Sequence, residues 1–214
     1  MLNKKINDSN IMFFIQINLH KAKLAAIELH RLLQKSVGIA LITEPYLFKG
    51  RIVGLPQGYD SILITEEGKL TRAALLIPKA YKAICLSSIS TPDCVAAQII
   101  VKGDKYVLVS TYMDINGTLP PLGTQKAIDY ADKYGCKLII GTDSNAHSTL
   151  YGPDTNQRGE LMEEFILENG LMVENVGVTP TFATWRADRW MESCIDVTLS
   201  KGCLLYTSPS PRDS

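Results

Sequence analysis

Apolar and polar positions alternate in several registers along this chain, and each register predicts an element. The segment "HKAKLAAIELHRLLQKS" sets Ala22, Ala25, Ala26, Leu29, Leu32 and Leu33 at i, i+3, i+4, i+7 spacing, the pattern of an amphipathic helix over 20–36. Ahead of it, "IMFFI" predicts a first strand. Strand-length apolar runs follow at 38–43, 61–65, 70–78, 81–89, 94–101 and 106–112. Short polar links such as "EEGK" and "KGDK" separate several of them, which predicts hairpins and antiparallel pairing. A second helix is predicted at 123–134, then the strand "KLII", then a third helix at 157–169 stopped by "ENG". Two last strand-like runs, "TPTFATW" and "SCIDVTLS", are joined by the polar "RADRW". This order predicts an α/β (α+β) domain, with a mixed sheet architecture, helices packed outside it and no internal repeat.

Composition narrows the classes. A chain of 214 residues with 46% hydrophobic content can bury one large core, and a second independent domain is not expected. We expect an N-terminal extension over 1–10 and the folded domain over 11–201. The Ser- and Pro-rich "TSPSPRDS" falls in a disordered tail over 202–214. Formal net charge is zero, so bulk positive charge does not draw the molecule to nucleic acid, and any such binding uses a local patch. Five scattered cysteines without a C-x-x-C pair argue against a disulfide framework and a zinc site. Gln16 and Asn18 interrupt the first apolar run too early for a signal peptide, and no run reaches the roughly 18–20 apolar residues that span a bilayer. A nuclear or cytoplasmic protein is expected, neither secreted nor membrane-bound.

Polar residues sit where apolar runs end. "GTDSNAHSTLYG" follows "KLII" directly, and strand alternation would put Asp143, Asn145 and His147 on one side of the emerging chain. Asn18 ends the first strand, Glu44 ends "ALIT", Tyr112 ends "VLVST", and Asp196 lies within "SCIDVTLS". Carboxylates and amides delivered to one rim can bind a hard divalent cation, since Mg²⁺ takes oxygen ligands from one or two carboxylates and completes its shell with water and phosphate. Each residue also has an ordinary explanation. Glu44 could be a solvated turn residue before Pro45, Asn18 a helix cap, Tyr112 a core aromatic, and Asp196 a partner of Arg186 or Arg189.

In combination, "QIN" (16–18), "TEPY" (43–46), "STYMD" (110–114), "GTDSNAH" (141–147) and "TPTF…W…SCIDVTLS" (179–200) occur in the order and at about the separations of the endonuclease/exonuclease/phosphatase superfamily. Over about 11–201 the chain resembles the apurinic-type endonuclease domain of non-long-terminal-repeat retrotransposon polyproteins. The resemblance implies a deoxyribonuclease-I-like sandwich of two mostly antiparallel sheets flanked by helices, with a Mg²⁺ site at one edge and Mn²⁺ as a substitute. Its implied substrate is double-stranded DNA, nicked so that a reverse transcriptase carried elsewhere in the full polyprotein can prime. By the same resemblance Glu44 would be the principal metal ligand and Asn18 would support the metal. Asp143 would deprotonate the attacking water, Asn145 would hold the scissile phosphate, Tyr112 would donate to the phosphate or leaving group, and Asp196 would brace a catalytic histidine. His147 is expected near DNA phosphates.

One departure stands out: the family's histidine lies in a Ser-Asp-His segment near the domain's end, and here no histidine follows His147. "CLLYTSPSPRDS" resembles translated sequencing adapter, so the native chain is expected to continue past Gly202, and the 214-residue chain is expected to lack a last strand and to be weak or inactive. "TWRADRW" reads as a hairpin whose Arg186, Arg189, Trp185 and Trp190 suit phosphate contact and groove insertion, as the resembling domains use a hairpin here, or as an ordinary hairpin with one core Trp. Arg158 is a second phosphate-contact candidate, against a solvated surface charge. Two other functions stay open: a phosphoesterase of the same superfamily and a non-catalytic DNA-binding remnant.

Overall fold

Five of the fourteen described strands are fed by runs that stay apolar and buried on consecutive positions, as strands buried on both faces must be. The computed structural model describes residues 12–36, 38–175, 179–186 and 189–203, with Arg186 described in its backbone only. The expected extension over 1–10 and the tail from 204 onward lie outside the described residues. Chain order runs β1 (Phe14–Asn18), α1 (Lys23–Lys35), β2 (Ile39–Thr43), β3 (Leu47–Phe48), β4 (Arg51–Ile52), β5 (Tyr59–Ile62), β6 (Ala73–Pro78), β7 (Ile84–Cys85), β8 (Cys94–Val101) and β9 (Asp104–Tyr112). It continues α2 (Leu122–Tyr134), β10 (Lys137–Asp143), α3 (Gln157–Glu168), β11 (Met172–Val173), β12 (Phe182–Arg186), β13 (Arg189–Ser193) and β14 (Asp196–Lys201).

Two large sheets form, one in the order β1-β2-β6-β5 and the other β11-β14-β10-β9-β8-β7. Pairing is antiparallel except β1 with β2 and β9 with β10. The sheets face each other across Ile39, Leu41, Leu75, Ile77, Val95, Ala97, Leu108 and Ile139, all buried. Gly141 lets them close: a Cβ there would stand 2.8 Å from Leu41 Cβ and 2.9 Å from Gln16 Cγ of the other sheet. On the outer face of the first sheet, α1 buries Ala26, Leu29 and Leu33 against Ala40, Ile42, Ala74 and Leu76. Ala127, Ile128 and Ala131 of α2, with Met162, Phe165 and Ile166 of α3, cover the outer face of the second sheet. No helix among the described residues is long and apolar enough to cross a membrane.

Three sequence expectations are corrected here. The first helix begins at Lys23, because His20 and Lys21 take left-handed backbone (φ 47° and 53°) and cannot join it. The run 81–89 yields only the two residues of β7, since a 3₁₀ turn at Lys79–Tyr81 ends with Lys82 at φ 46° and turns the chain aside. "SCIDVTLS" is split between elements. Ser193 ends β13, the Thr181 hydroxyl accepts from the Ile195 and Asp196 amides (3.1 and 3.0 Å), and Asp196 opens β14.

Candidate active site

The second sheet sets three side chains abreast. Asp143 pairs with Tyr112 across the parallel β9–β10 ladder and with Asp196 across the antiparallel β10–β14 ladder. In the first sheet, Asn18 pairs with Thr43, and Glu44 follows at the same edge. The two rims are joined: Asn18 Nδ2 donates to Asp143 Oδ2 at 2.7 Å, Gln16 Nε2 donates to Thr142 O at 2.9 Å, and the Thr198 hydroxyl donates to Gln16 Oε1 at 2.8 Å. Residues from five separate strand ends therefore converge, including Glu44, Asp143 and Asp196.

Crowding three carboxylates has an electrostatic consequence. Burial, reinforced by the Glu44 charge, pushes the Asp143 carboxyl up to about 6 against the opposing Asn145 amide and Asn18 side chain. Burial and the Asp143 charge push Asp196 up to about 7. Burial and the Asp143 charge also raise the Tyr112 phenol, while the Asn145 side chain and Arg72 oppose the rise.

Asp143 Oδ1 and Asp196 Oδ1 are buried with no hydrogen-bond partner among the described residues. Such atoms are costly unless something else meets them. Oxygen donors from Glu44, Asn18 and Asp143 suit a hard cation, which completes its shell with water and phosphate. No set of three or more His, Cys, Asp or Glu side chains among the described residues could close round a metal unaided. The fit rests instead on the orphaned carboxylate oxygens of Asp143 and Asp196 and on the oxygen-only donor set at the rim. The residues present therefore fit the implied cation.

The loop after β10 departs from strand alternation. Asn145 turns left-handed (φ 47°) and its Nδ2 donates back to Met113 O at 3.1 Å, so it stays at the rim beside Tyr112. His147 follows, its Nδ1 3.2 Å from Asp154 Oδ2. Arg158 is spent on the same loops: its guanidinium donates to the carbonyls of Asp114 (2.8 Å), Gly117 (3.2 Å) and Ser144 (3.3 Å). It acts as a staple between the loops after β9 and β10, so it is not the freely solvated charge of the ordinary alternative. Gly159 lets α3 press on this loop, where a Cβ would meet His147 O at 1.6 Å, and the Asn156 side chain caps the helix at Gly159 N.

The hairpin is β12–β13, with Trp185 opposite Trp190, ring centroids 6.3 Å apart. Both indoles are exposed (65% and 57%), so neither is the core Trp of the ordinary alternative. Arg189 is also exposed, Trp190 Nε1 donates to Glu192, and the Arg186 side chain is outside the described residues. Asp196 ion-pairs with no described Arg, and Phe182 at the hairpin's root lies 5.6 Å from the His20 ring.

Two features escaped sequence reasoning. Arg72 binds Asp93 through two nitrogens (2.6 and 2.7 Å), reaches Asp114, lies 4.4 Å over the Tyr112 ring, and its carbonyl accepts from Glu44 N. It braces both sides of the rim, and its one sequence signal was a charge at the head of "RAALLIP". Lys21 and His20, read as helical, instead face Glu44 at 3.0 and 3.6 Å.

The family described as endonuclease-reverse transcriptase matches residues 108–208. Among solved structures the chain is similar to the endonuclease domain of TRAS1, a telomere-specific non-LTR retrotransposon, with 29% identity, a TM-score of 0.75, and coverage of 88% of this chain and 84% of that one. The AP endonuclease LMAP from Leishmania major shares the fold at 12% identity and TM-score 0.64, covering 88% of this chain and 78% of its own. A mannosyl-6-phosphatase from Bacteroides thetaiotaomicron does so at 14% and 0.64, covering 90% and 86%. No curated protein matches the sequence. Two packed sheets, a rim of oxygen donors at their joined edge and these likenesses identify the chain as having the endonuclease/exonuclease/phosphatase superfamily fold, with similarity to a retrotransposon endonuclease domain.

Proposed function

We propose that the chain is a divalent-cation-dependent endonuclease domain that hydrolyses phosphodiester bonds of double-stranded DNA, nicking a target strand for reverse transcription. The observation that carries this reading is the convergence of Glu44, Asn18, Asp143 and Asp196 from both sheets, with carboxylate oxygens of Asp143 and Asp196 left unpartnered. Glu44 and Asn18 would hold the cation. When bound, Mg²⁺ or Mn²⁺ neutralises the charge that develops on the phosphate.

Asp143, with its affinity for protons raised to near neutrality, is matched to take a proton from an attacking water. As the water oxygen bonds to phosphorus, the P–O3′ bond breaks and leaves a 5′ phosphate and a 3′ hydroxyl. Asn145 and Tyr112 can donate to the phosphate oxygens, and Tyr112 can deliver the proton that the 3′ oxygen needs. The exposed Trp185, Trp190 and Arg189 support contact with a duplex; the likeness to the TRAS1 endonuclease domain supports DNA as substrate, and the match to the endonuclease-reverse transcriptase family supports a reverse transcriptase as partner.

None of the sequence's three histidines is paired with Asp196, so turnover should fall roughly 10²- to 10⁴-fold below that of a complete site. Supercoiled plasmid nicking at high protein concentration tests the proposal. Slow nicking with Mg²⁺ or Mn²⁺, absent in EDTA and in Glu44→Gln, is expected; nicking that survives Glu44→Gln contradicts it. Asp196 without a histidine beside it favours one second reading, a DNA-binding remnant, for which cation-dependent stabilisation and duplex binding would occur without any cleavage.

A further inference from the structure

Lys21 is outside every role assigned above, yet its ammonium lies 3.0 Å from Glu44 Oε1. The backbone fixes it there. Leu19 N donates to Thr43 O (2.9 Å), Lys21 N to Glu44 O (2.9 Å), and Ala22 N to Leu19 O (2.7 Å), so the turn after β1 is sewn to the end of β2. Lys21 and Glu44 both hold left-handed backbone, at φ 53° and 48°. Such conformations are strained for residues with a side chain and persist where surrounding contacts over-determine them. The Glu44 side chain is 18% exposed and that of Lys21 45%, so the ammonium meets the carboxylate at the solvent-facing side of the rim. A cation and a DNA phosphate would have to arrive from that side too.

We propose that Lys21 is a displaceable counter-cation of the metal position. It neutralises Glu44 in the metal-free protein, yields that carboxylate when a divalent cation binds, and turns its released ammonium to a phosphate oxygen of the DNA. The inference rests on the divalent-cation reading of the rim. The carboxylate's attraction to Lys21 is given up on metal binding, so the lysine weakens metal affinity. Its positive charge near a phosphate strengthens DNA affinity. The two effects have opposite signs. A lysine that merely held the turn together would weaken both on removal, or leave both unchanged.

The test uses the full chain. Mn²⁺ affinity is measured by calorimetry without DNA, and duplex binding by anisotropy with Ca²⁺ in place of Mg²⁺. An exposed ion pair of this kind shifts an equilibrium roughly two- to fivefold. Lys21→Met should therefore bind Mn²⁺ tighter by about that factor and duplex DNA more weakly, while Lys21→Arg keeps both close to wild type. Unchanged or weaker Mn²⁺ binding in Lys21→Met overturns the proposal, as does unchanged DNA binding. Thermal melting in EDTA verifies that the variant is folded. If the wild type takes up no Mn²⁺, or Glu44→Gln takes it up equally well, the metal reading itself fails and Lys21 falls with it.

Discussion

Asp143 is held by opposing demands: burial and the Glu44 charge favour its protonated form, while Asn18 and the Asn145 amide favour the carboxylate. A group balanced near neutrality is what water activation requires. Asp143→Asn should lower the nicking rate by about 10²- to 10⁴-fold with little loss of DNA affinity, read from single-turnover rates and anisotropy. The same balance fixes a pH dependence. The folded carboxyls at about 6 (Asp143) and about 7 (Asp196) lie above the ordinary value of 3.8. The folded state thus binds more protons than the unfolded chain between about pH 4 and 7, so metal-free stability should fall as pH rises through that window. Melting temperatures in EDTA at pH 5 and 8 check this, and a flat or rising profile contradicts it. Sequence alone exposed Asp143, Asn145, Tyr112 and Glu44, because each ends an apolar run. It misjudged the means, since Asn145 reaches the rim by a left-handed turn and strand alternation does not place it there. Arg72, Lys21 and Arg158 take their roles from contacts distant in sequence, which no local pattern carries.

Among the elements, the apolar periodicity located the long strands and the three α-helices of the described residues. The two-residue strands β3, β4 and β11 stayed invisible, and β7 was over-read as the whole run 81–89, because such short pairings depend on neighbours brought in by tertiary folding. Gly141 is where sheet geometry and site meet, because its missing side chain lets β10 approach Leu41 and Gln16 closely enough for Asn18 to reach Asp143. Gly141→Ala should destabilise by about 1–3 kcal/mol in denaturant titrations, through overpacking, and should weaken cation binding by moving the rims apart. The β12–β13 hairpin is an exposed two-stranded element that, under the proposed function, would contact the duplex. With Trp185 and Trp190 exposed, replacing both by Ala should weaken duplex binding while leaving the melting temperature within a few degrees of wild type.

At the scale of the whole molecule, a formal net charge of zero leaves DNA attraction to local features. The salt dependence of duplex binding should accordingly be shallow, and Arg189→Ala should reduce its slope by about one. The sandwich's contribution is to hold the ends of β1, β2, β9, β10 and β14 at one joined edge, so that donors scattered over 18–196 act as one site. Paramagnetic broadening of amide NMR signals during a Mn²⁺ titration tests that claim most directly. The amides of Asn18, Glu44, Asp143 and Asp196 should broaden first and together, and Glu44→Gln should abolish the effect. Broadening centred elsewhere, or persisting unchanged in Glu44→Gln, would contradict a cation held between the two sheets.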